Sequence, residues 1–413
     1  SPWKWRHLKS VIVPSVQSPP SMLKLHDFCN RALQRASADH RFPDFDENAV
    51  ATSFYTSGTT GLPKAVSFTH RQIVLHTMAI VGLFSAQAPE GFRHGDVYMP
   101  ITPMFHVHAW GIPYAATMLG LKQVYPGRYV AAELIALRTR ERVTFSHCVP
   151  TVLQMLLDAN ETLAADLSDW TIVVGGSALP LSLRTAARRQ GIRAIAGYGM
   201  SETGPILALT RSEPDLVTND EEQDAILCRT GRPIPLVQMR IVDEEMRDVP
   251  HDGLAQGEIV VRAPWLTASY AGNVEASADL WRGGWLHTQD VATIDPDGFV
   301  QIRDRLKDVI KTGGEWISSL LLEELLLFHP GIKEVAIIAV PDQLWGERPV
   351  AVVVTMPDAT PPVLDDIRQH LQPSVEAGTI SRYAVPDRVI VLEHLPRTSV
   401  GKIDKKQLRL IAA

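Results

Sequence analysis

The stretch "YTSGTTGLPK", residues 55–64, gathers hydroxyls, glycines and one lysine. Thr56, Ser57, Thr59 and Thr60 can donate hydrogen bonds, and Gly58 and Gly61 let backbone N–H groups turn inward. Lys64 adds a point charge. These are the ingredients of a phosphate site. A Walker A loop places its lysine directly after the second glycine, with Ser or Thr next. Here Lys64 stands three residues beyond Gly61 and is followed by Ala65, so the P-loop reading fails on spacing. Taken alone, the stretch reads equally as a phosphate cradle or as a polar hairpin turn. Further along, "GYGMSETGP" (197–205) offers a flat ring in Tyr198 and a hard oxygen ligand in Glu202. Out of context, Tyr198 would be a core aromatic and Glu202 a solvated charge. His106 and His108 form an HxH pair, but no third ligand is evident and a metal site there is not indicated.

These residues need a frame. Short Val- and Ile-rich runs at 10–15, 170–176, 192–199, 257–264 and 334–341 alternate with helix-like stretches such as 129–143 and 152–167. That alternation predicts an α/β architecture with buried parallel sheets. Residues 225–272 differ, with short strands and Gly/Pro turns that suit a side β unit. "GGSALP" (175–180) follows the strand "WTIVV" and precedes a helix, the place where α/β sheets put ligands. A charged segment at 305–308 separates a large domain, 1–304, from a compact α+β domain, 309–413. The Leu-rich helix at 318–330 is expected to be core. The opening "SPWKWRHLKSVIV" lacks a signal-peptide pattern and reads as the inside of a domain whose start is missing.

Composition narrows the partners. The 413-residue chain carries 40 Lys and Arg against 46 Asp and Glu, a net charge of −6, so neither nucleic acid nor an anionic membrane is indicated as its main partner. Cys29, Cys148 and Cys228 are scattered, which supports neither a disulfide framework nor a zinc site and points to a reducing cytoplasmic compartment. No apolar run approaches a membrane span.

Five segments occur in one order: "YTSGTTGLPK", "GYGMSETGP", "GWLHTQD" (284–290), "DRLKDVIKTGGEWIS" (304–318) and "PRTSVGKIDK" (396–405). Together they resemble the adenylate-forming superfamily of acyl-CoA synthetases, luciferases and adenylation domains. "PMFHVHAWGIPYAATMLG" (103–120) is most similar to bacterial medium- and long-chain fatty acyl-CoA synthetases. The resemblance implies two half-reactions: a carboxylic acid attacks ATP to give acyl-AMP and pyrophosphate, and coenzyme A then displaces AMP. It implies ATP, Mg²⁺ and coenzyme A as cofactors, and a small C-terminal domain that rotates between the steps.

Residue by residue, the resemblance implies that loop 56–64 holds the β- and γ-phosphates. Gly176, Ser177, Gly197, Tyr198, Gly199 and Ser201 line the adenine and phosphate side, with Ser201 where the family usually has Thr. Thr56 and Glu202 hold the metal. Asp290 accepts from the ribose hydroxyls, with Arg305 as a second ribose or phosphate contact. Gln289 stands where the family usually has Gly, which puts the local backbone in doubt. Lys307 is the hinge, and Lys402 enters the site for adenylation, where it offsets the repulsion between two anions. Lys311 and Trp316 contact coenzyme A. His106 sits beside the acyl carboxylate and Trp110 gates the acyl slot, which Met104, Met118 and Met155 either lengthen or close. Three alternatives remain: a ligase for a short substituted acid such as 3-methylthiopropionate, a nucleotide-binding relative without turnover, and an adenylation domain serving a carrier protein. A homodimer is compatible with the resemblance.

Overall fold

The computed structural model describes residues 44–56, 64–85, 90–213, 215–313, 315–357, 359–397 and 403–412, with one short parallel strand pair, β1 (Ile12–Val13) and β2 (Leu23–Lys24). The segment 10–15 expected as a strand lies largely outside these residues, as do Ser57, Gly58, Thr59, Thr60, Gly61 and Lys402.

β3 (Val50–Thr56) and β4 (Lys64–Thr69) pair antiparallel and lead into α1 (His70–Ser85). The chain then builds a seven-stranded sheet from β5 (Val97–Pro100), β6 (Lys122–Gln123), β7 (Phe145–Cys148), β8 (Trp170–Val174), β9 (Ile192–Gly199), β10 (Ile206–Leu209) and β11 (Arg232–Pro233). Its order is β11-β10-β9-β8-β7-β5-β6. The β6-β5-β7-β8-β9 part is parallel, and the edge from β9 to β11 is antiparallel. β5, β7 and β8 are buried at every position; β5 and β8 are largely apolar throughout, whereas β7 buries Ser146 and His147 between Phe145 and Cys148.

Helices cover both faces. α1 and α2 (Ile112–Met118) pack on one face against Tyr98, Phe145, Val173 and Ile195. α3 (Ala131–Glu141), α4 (Pro150–Leu163) and α5 (Leu181–Arg189) pack on the other against Met99, Cys148, Ile172 and Val174. Pro150 opens α4 at a position where its missing N–H leaves no helical bond unmade. The side β unit expected at 225–272 is a four-stranded antiparallel sheet of β12 (Gln238–Val242), β13 (Gly257–Arg262), β14 (Leu286–Ile294) and β15 (Val300–Arg305), so it begins later and reaches further than that range.

After β15 a hairpin forms from β16 (Ile310–Thr312) and β17 (Glu315–Ile317), followed by a helix, α6 (Ser319–Leu327). Ser318 caps this helix by accepting from the Leu321 N–H at 3.1 Å. The long strands β18 (Ile332–Asp342) and β19 (Gly346–Thr355) pair antiparallel, and β20 (Arg388–Val391) adds to β19 in parallel. α6 and α7 (Leu364–Glu376) cover one face, and α8 (Lys405–Ala412) covers the other. The alternation along β18 divides its side chains between those two layers: Val335, Ile337 and Ala339 to one, Ala336 and Ile338 to the other. Leu322 and Leu326 of the Leu-rich helix are buried, as expected for core.

Candidate active site

The carboxyl ends of β5, β7, β8 and β9 define one rim of the large sheet, and the site forms beside it. β9 ends in Gly197-Tyr198-Gly199. A side chain on Gly199 would begin 1.9 Å from the Pro205 carbonyl oxygen, so only glycine lets the chain fold back into β10. Between these strands a short helical turn, Ser201–Thr203, carries Glu202 inward, where it is 6% exposed.

Two contacts organise the carboxylates. Tyr198 Oη donates to Asp290 Oδ2 at 2.7 Å, and Arg305 Nε lies 3.3 Å from Asp290 Oδ1. Asp290 and Arg305 are direct partners in the β14–β15 register. Tyr270 Oη donates to Glu202 Oε1 at 2.7 Å, and the Lys64 ammonium lies over the Tyr270 ring, 4.6 Å from its centre. Burial pushes the Glu202 carboxyl up from its ordinary range, and the Tyr270 hydrogen bond opposes that rise. Burial disfavours the Arg305 charge, but Asp290 leads a group of neighbours that outweighs it, and the pKa rises.

Thr56 and Lys64 are partners across the β3–β4 pair, so the two ends of the glycine-rich loop meet. Gly176, at φ +81°, turns the chain after β8, and Ser177 next to it is exposed. Ser201 is half-buried at the start of its turn. Gln289 adopts φ +62°, the left-handed conformation that glycine takes without strain. Here the backbone is held despite the side chain. Gln289 N and Nε2 both donate to Glu258 Oε1, at 3.0 and 3.2 Å, and Glu258 Oε2 also meets His287 Nδ1 at 2.8 Å. The Gln in place of Gly therefore leaves Asp290 in register.

On the acyl side, Val107, His108, Ala109 and Trp110 all have φ between +48° and +61°. A left-handed turn of four L-residues is strained, at roughly 1–2 kcal/mol each. It buries Trp110, while His106 before it stays half-exposed. His108 Nε2 is 2.8 Å from Thr52 Oγ1. The methionines do not gather around Trp110. Met104 and Met118 are exposed, and Met155 packs on the opposite face of the sheet. Trp110 instead meets Gly175 and the buried His147, whose ring centre is 4.9 Å away. A side chain on Gly175 would begin 3.1 Å from Trp110 Cη2 and 2.8 Å from the Gly197 oxygen. Sequence reasoning missed Tyr270 and His147, because neither lies in a recognisable motif.

Lys307 Nζ is 3.7 Å from Asp308 Oδ2, and burial lowers its pKa. Lys311 and Trp316 face each other across the β16–β17 hairpin, with the ammonium 4.9 Å from the indole centre. They border an open cleft of about 990 Å³ that also includes Glu258, Arg282, Leu306 and Glu315.

Residues 6–271 match the AMP-binding enzyme family, and residues 321–402 match its C-terminal domain. The chain belongs to the AMP-binding enzyme family. It is 45% identical over 367 residues to a long-chain-fatty-acid–CoA ligase of Thermus thermophilus, which covers 88% of this chain and 66% of that protein. It is 38% identical over 392 residues to a 3-methylmercaptopropionyl-CoA ligase of Ruegeria lacuscaerulensis, covering 93% and 70%. An o-succinylbenzoate coenzyme A synthetase of Bacillus subtilis, solved in complex with ATP and magnesium ion, superposes with a TM-score of 0.75 at 25% identity, covering 92% of this chain and 74% of that one. The chain thus spans 66–70% of the length of those two curated relatives. No helix among the described residues is long and apolar enough to cross a membrane.

Proposed function

We propose that the chain carries the catalytic machinery of an AMP-forming acid–CoA ligase of the fatty-acid type. The observation that carries this reading is the convergence of Tyr198, Asp290 and Arg305 beside Glu202, Tyr270 and Lys64, from segments up to 241 residues apart, at one rim of the sheet. Asp290 suits the two ribose hydroxyls, because an ionised carboxylate accepts through both oxygens. Tyr198, fixed through its hydroxyl, presents its ring to adenine beside Gly176 and Ser177. Lys64, with the hydroxyl- and glycine-rich loop after Thr56, holds the β- and γ-phosphates.

Glu202 fits Mg²⁺, which ordinarily takes only one or two carboxylates. Its Oε1 is committed to the neutral Tyr270 phenol rather than to a cation, so the carboxylate keeps its charge for a metal. With Thr56 it would hold the ion, which when bound neutralises phosphate charge. His106 faces the acid carboxylate. Lys402 enters for adenylation, and Lys311 with Trp316 meets coenzyme A after a rotation about Lys307, as the large domain (1–304) and small domain (309–413) exchange contacts. The chemistry is alignment and charge neutralisation rather than covalent catalysis.

Incubating the full chain with ATP, Mg²⁺, coenzyme A and acids from C2 to C18, including thioether and aryl acids, should release AMP and pyrophosphate with at least one acid. Lys402→Ala should abolish acid-dependent ATP–pyrophosphate exchange while preformed acyl-AMP is still converted to thioester. Exchange at the wild-type rate in that variant would remove Lys402 from the first step, and silence across the whole panel would remove the ligase reading.

A further inference from the structure

His147 lies on β7 with its side chain on the same face of the sheet as Tyr98, Phe145 and Val173. The residue is fully buried, and its Nε2 is 2.7 Å from Tyr98 Oη. Its Nδ1 has no hydrogen-bond partner among the described residues. Two proton arrangements are available for this pair. If Nε2–H donated to the phenol, both the Tyr98 O–H and His147 Nδ1 would lack a partner, because Tyr98 is also fully buried. If Tyr98 O–H donates to Nε2, only one group is left over, and it is the Nδ1–H. The second arrangement strands fewer buried polar groups and is the one the geometry favours. Burial also lowers the His147 pKa to about 3, so the ring is neutral at working pH and carries that single leftover donor.

A buried donor without an acceptor is costly to keep, and one left so in a folded protein asks for a ligand. Trp110, which the resemblance places at the gate of the acyl slot, packs against His147 with ring centres 4.9 Å apart. The indole is carried by the strained left-handed turn, Val107–Trp110, and relaxation of that turn toward ordinary backbone angles would withdraw it. Val173 and Ile195, in register with His147 across the sheet, and Phe145, two residues before it, make the same face apolar.

We propose that His147 is a specificity-determining residue, its Nδ1–H donating a hydrogen bond to an acceptor atom part-way along the acyl chain. The favoured acid therefore carries an oxygen or sulfur acceptor within its chain rather than being a plain hydrocarbon acid. This rests on the acid–CoA ligase reading. An apolar slot with one stranded donor discriminates against the unsubstituted chain, because that chain desolvates the donor without pairing it.

The test is an oxygen walk. Acid-dependent pyrophosphate release by the full chain is measured for straight-chain acids and for the same acids with one methylene replaced by ether oxygen at each successive position. At one position the oxa-acid should exceed its hydrocarbon parent in kcat/KM by roughly ten-fold. His147→Leu should abolish or reverse that preference, and His147→Gln, which keeps an N–H donor, should restore part of it. Tyr98→Phe serves if His147→Leu does not fold. It releases Nε2, lets the ring change tautomer and should blunt the same preference. A flat walk in the wild type overturns the inference while leaving the ligase reading intact. So does a preference that survives in His147→Leu or in Tyr98→Phe; a flat walk is also the result expected if the Trp110 face alone satisfies Nδ1–H. No pyrophosphate release with any acid overturns both.

Discussion

Two clusters of charge meet at the end of β15, where Arg305 belongs to one and Asp304 to the other, and they are built differently. In the proposed nucleotide cluster each carboxylate is held by a phenol: Glu202 by Tyr270 and Asp290 by Tyr198, each at 2.7 Å. Asp290 also pairs with Arg305 at 3.3 Å, while Lys64 lies over the Tyr270 ring rather than on a carboxylate. In the second cluster acids meet cations directly. Lys405 Nζ contacts Glu323 Oε1 at 2.7 Å and Ser319 Oγ at 2.6 Å, and Arg409 meets Asp308 at 2.6 Å. Asp304, at the end of the large domain's last strand, accepts the Ser319 N–H at 2.6 Å. Burial disfavours the Lys405 charge, but Glu323 and Asp304 outweigh it and raise its pKa. The lesson is about spare capacity. The neutral phenol on Glu202 leaves that carboxylate its charge for a ligand, whereas the Lys405–Glu323 and Arg409–Asp308 pairs tie α8 to α6 and to the segment after β15.

Breaking each cluster should therefore give different phenotypes. Asp290→Ala should lower kcat/KM for ATP in acid-dependent pyrophosphate release by about a hundred-fold or more, since it removes two charge-assisted hydrogen bonds to the ribose. Its thermal midpoint should also fall, because the buried Tyr198 hydroxyl and Arg305 lose their shared partner, and activity within a few-fold of wild type would end the ribose assignment. Lys405→Met should act on stability first. Removing one partner of a nearly buried pair, with side chains 12% and 13% exposed, leaves Glu323 uncompensated and costs about 3–5 kcal/mol. Denaturant unfolding should show that loss, and adding Glu323→Leu should recover most of it. A double variant no more stable than the single one would mean that the pair is not what holds α8.

Much of the proposed nucleotide cluster was legible because its residues sit in short segments with recognisable spacing. Tyr198, Glu202, Asp290 and Arg305 each come from a different strand end or turn, and the strand register then closes the gaps. Gln289 shows the limit of such reading. A departure from glycine looked like doubt about the backbone, yet Glu258, thirty-one residues away, holds the left-handed turn in place. Tyr270 and His147 were not legible for a related reason. Each matters through contacts to residues far along the chain, and a lone Tyr or His inside an apolar run is more often simple core. The methionines near the acyl side misled because helical composition does not say which face of the sheet a helix covers. The small domain was the easiest part, since its strands and Leu-rich helix follow plain periodicity.

The finest distinction between the clusters is tested at Tyr270. Burial holds the Glu202 pKa above its ordinary range, and the Tyr270 hydrogen bond to the carboxylate pulls it back down. Tyr270→Phe removes only the downward influence, so the Glu202 pKa should rise further. If Glu202 must be ionised to work, the acidic limb of the kcat/KM profile should move to higher pH, with the plateau at alkaline pH kept within about ten-fold of wild type. Stability should move by the same logic. A carboxyl whose folded-state pKa lies above its unfolded value binds more protons when native, so its contribution is fullest below the unfolded pKa and falls as pH rises through the folded one. The variant should lose more stability than wild type between pH 4 and pH 7, read by denaturant unfolding at each pH. An acidic limb that stays in place, or moves to lower pH, would show that the phenol does not tune Glu202. The idea that neutral holders keep a carboxylate poised for a cation would then fail at the residue where it is most exposed to test.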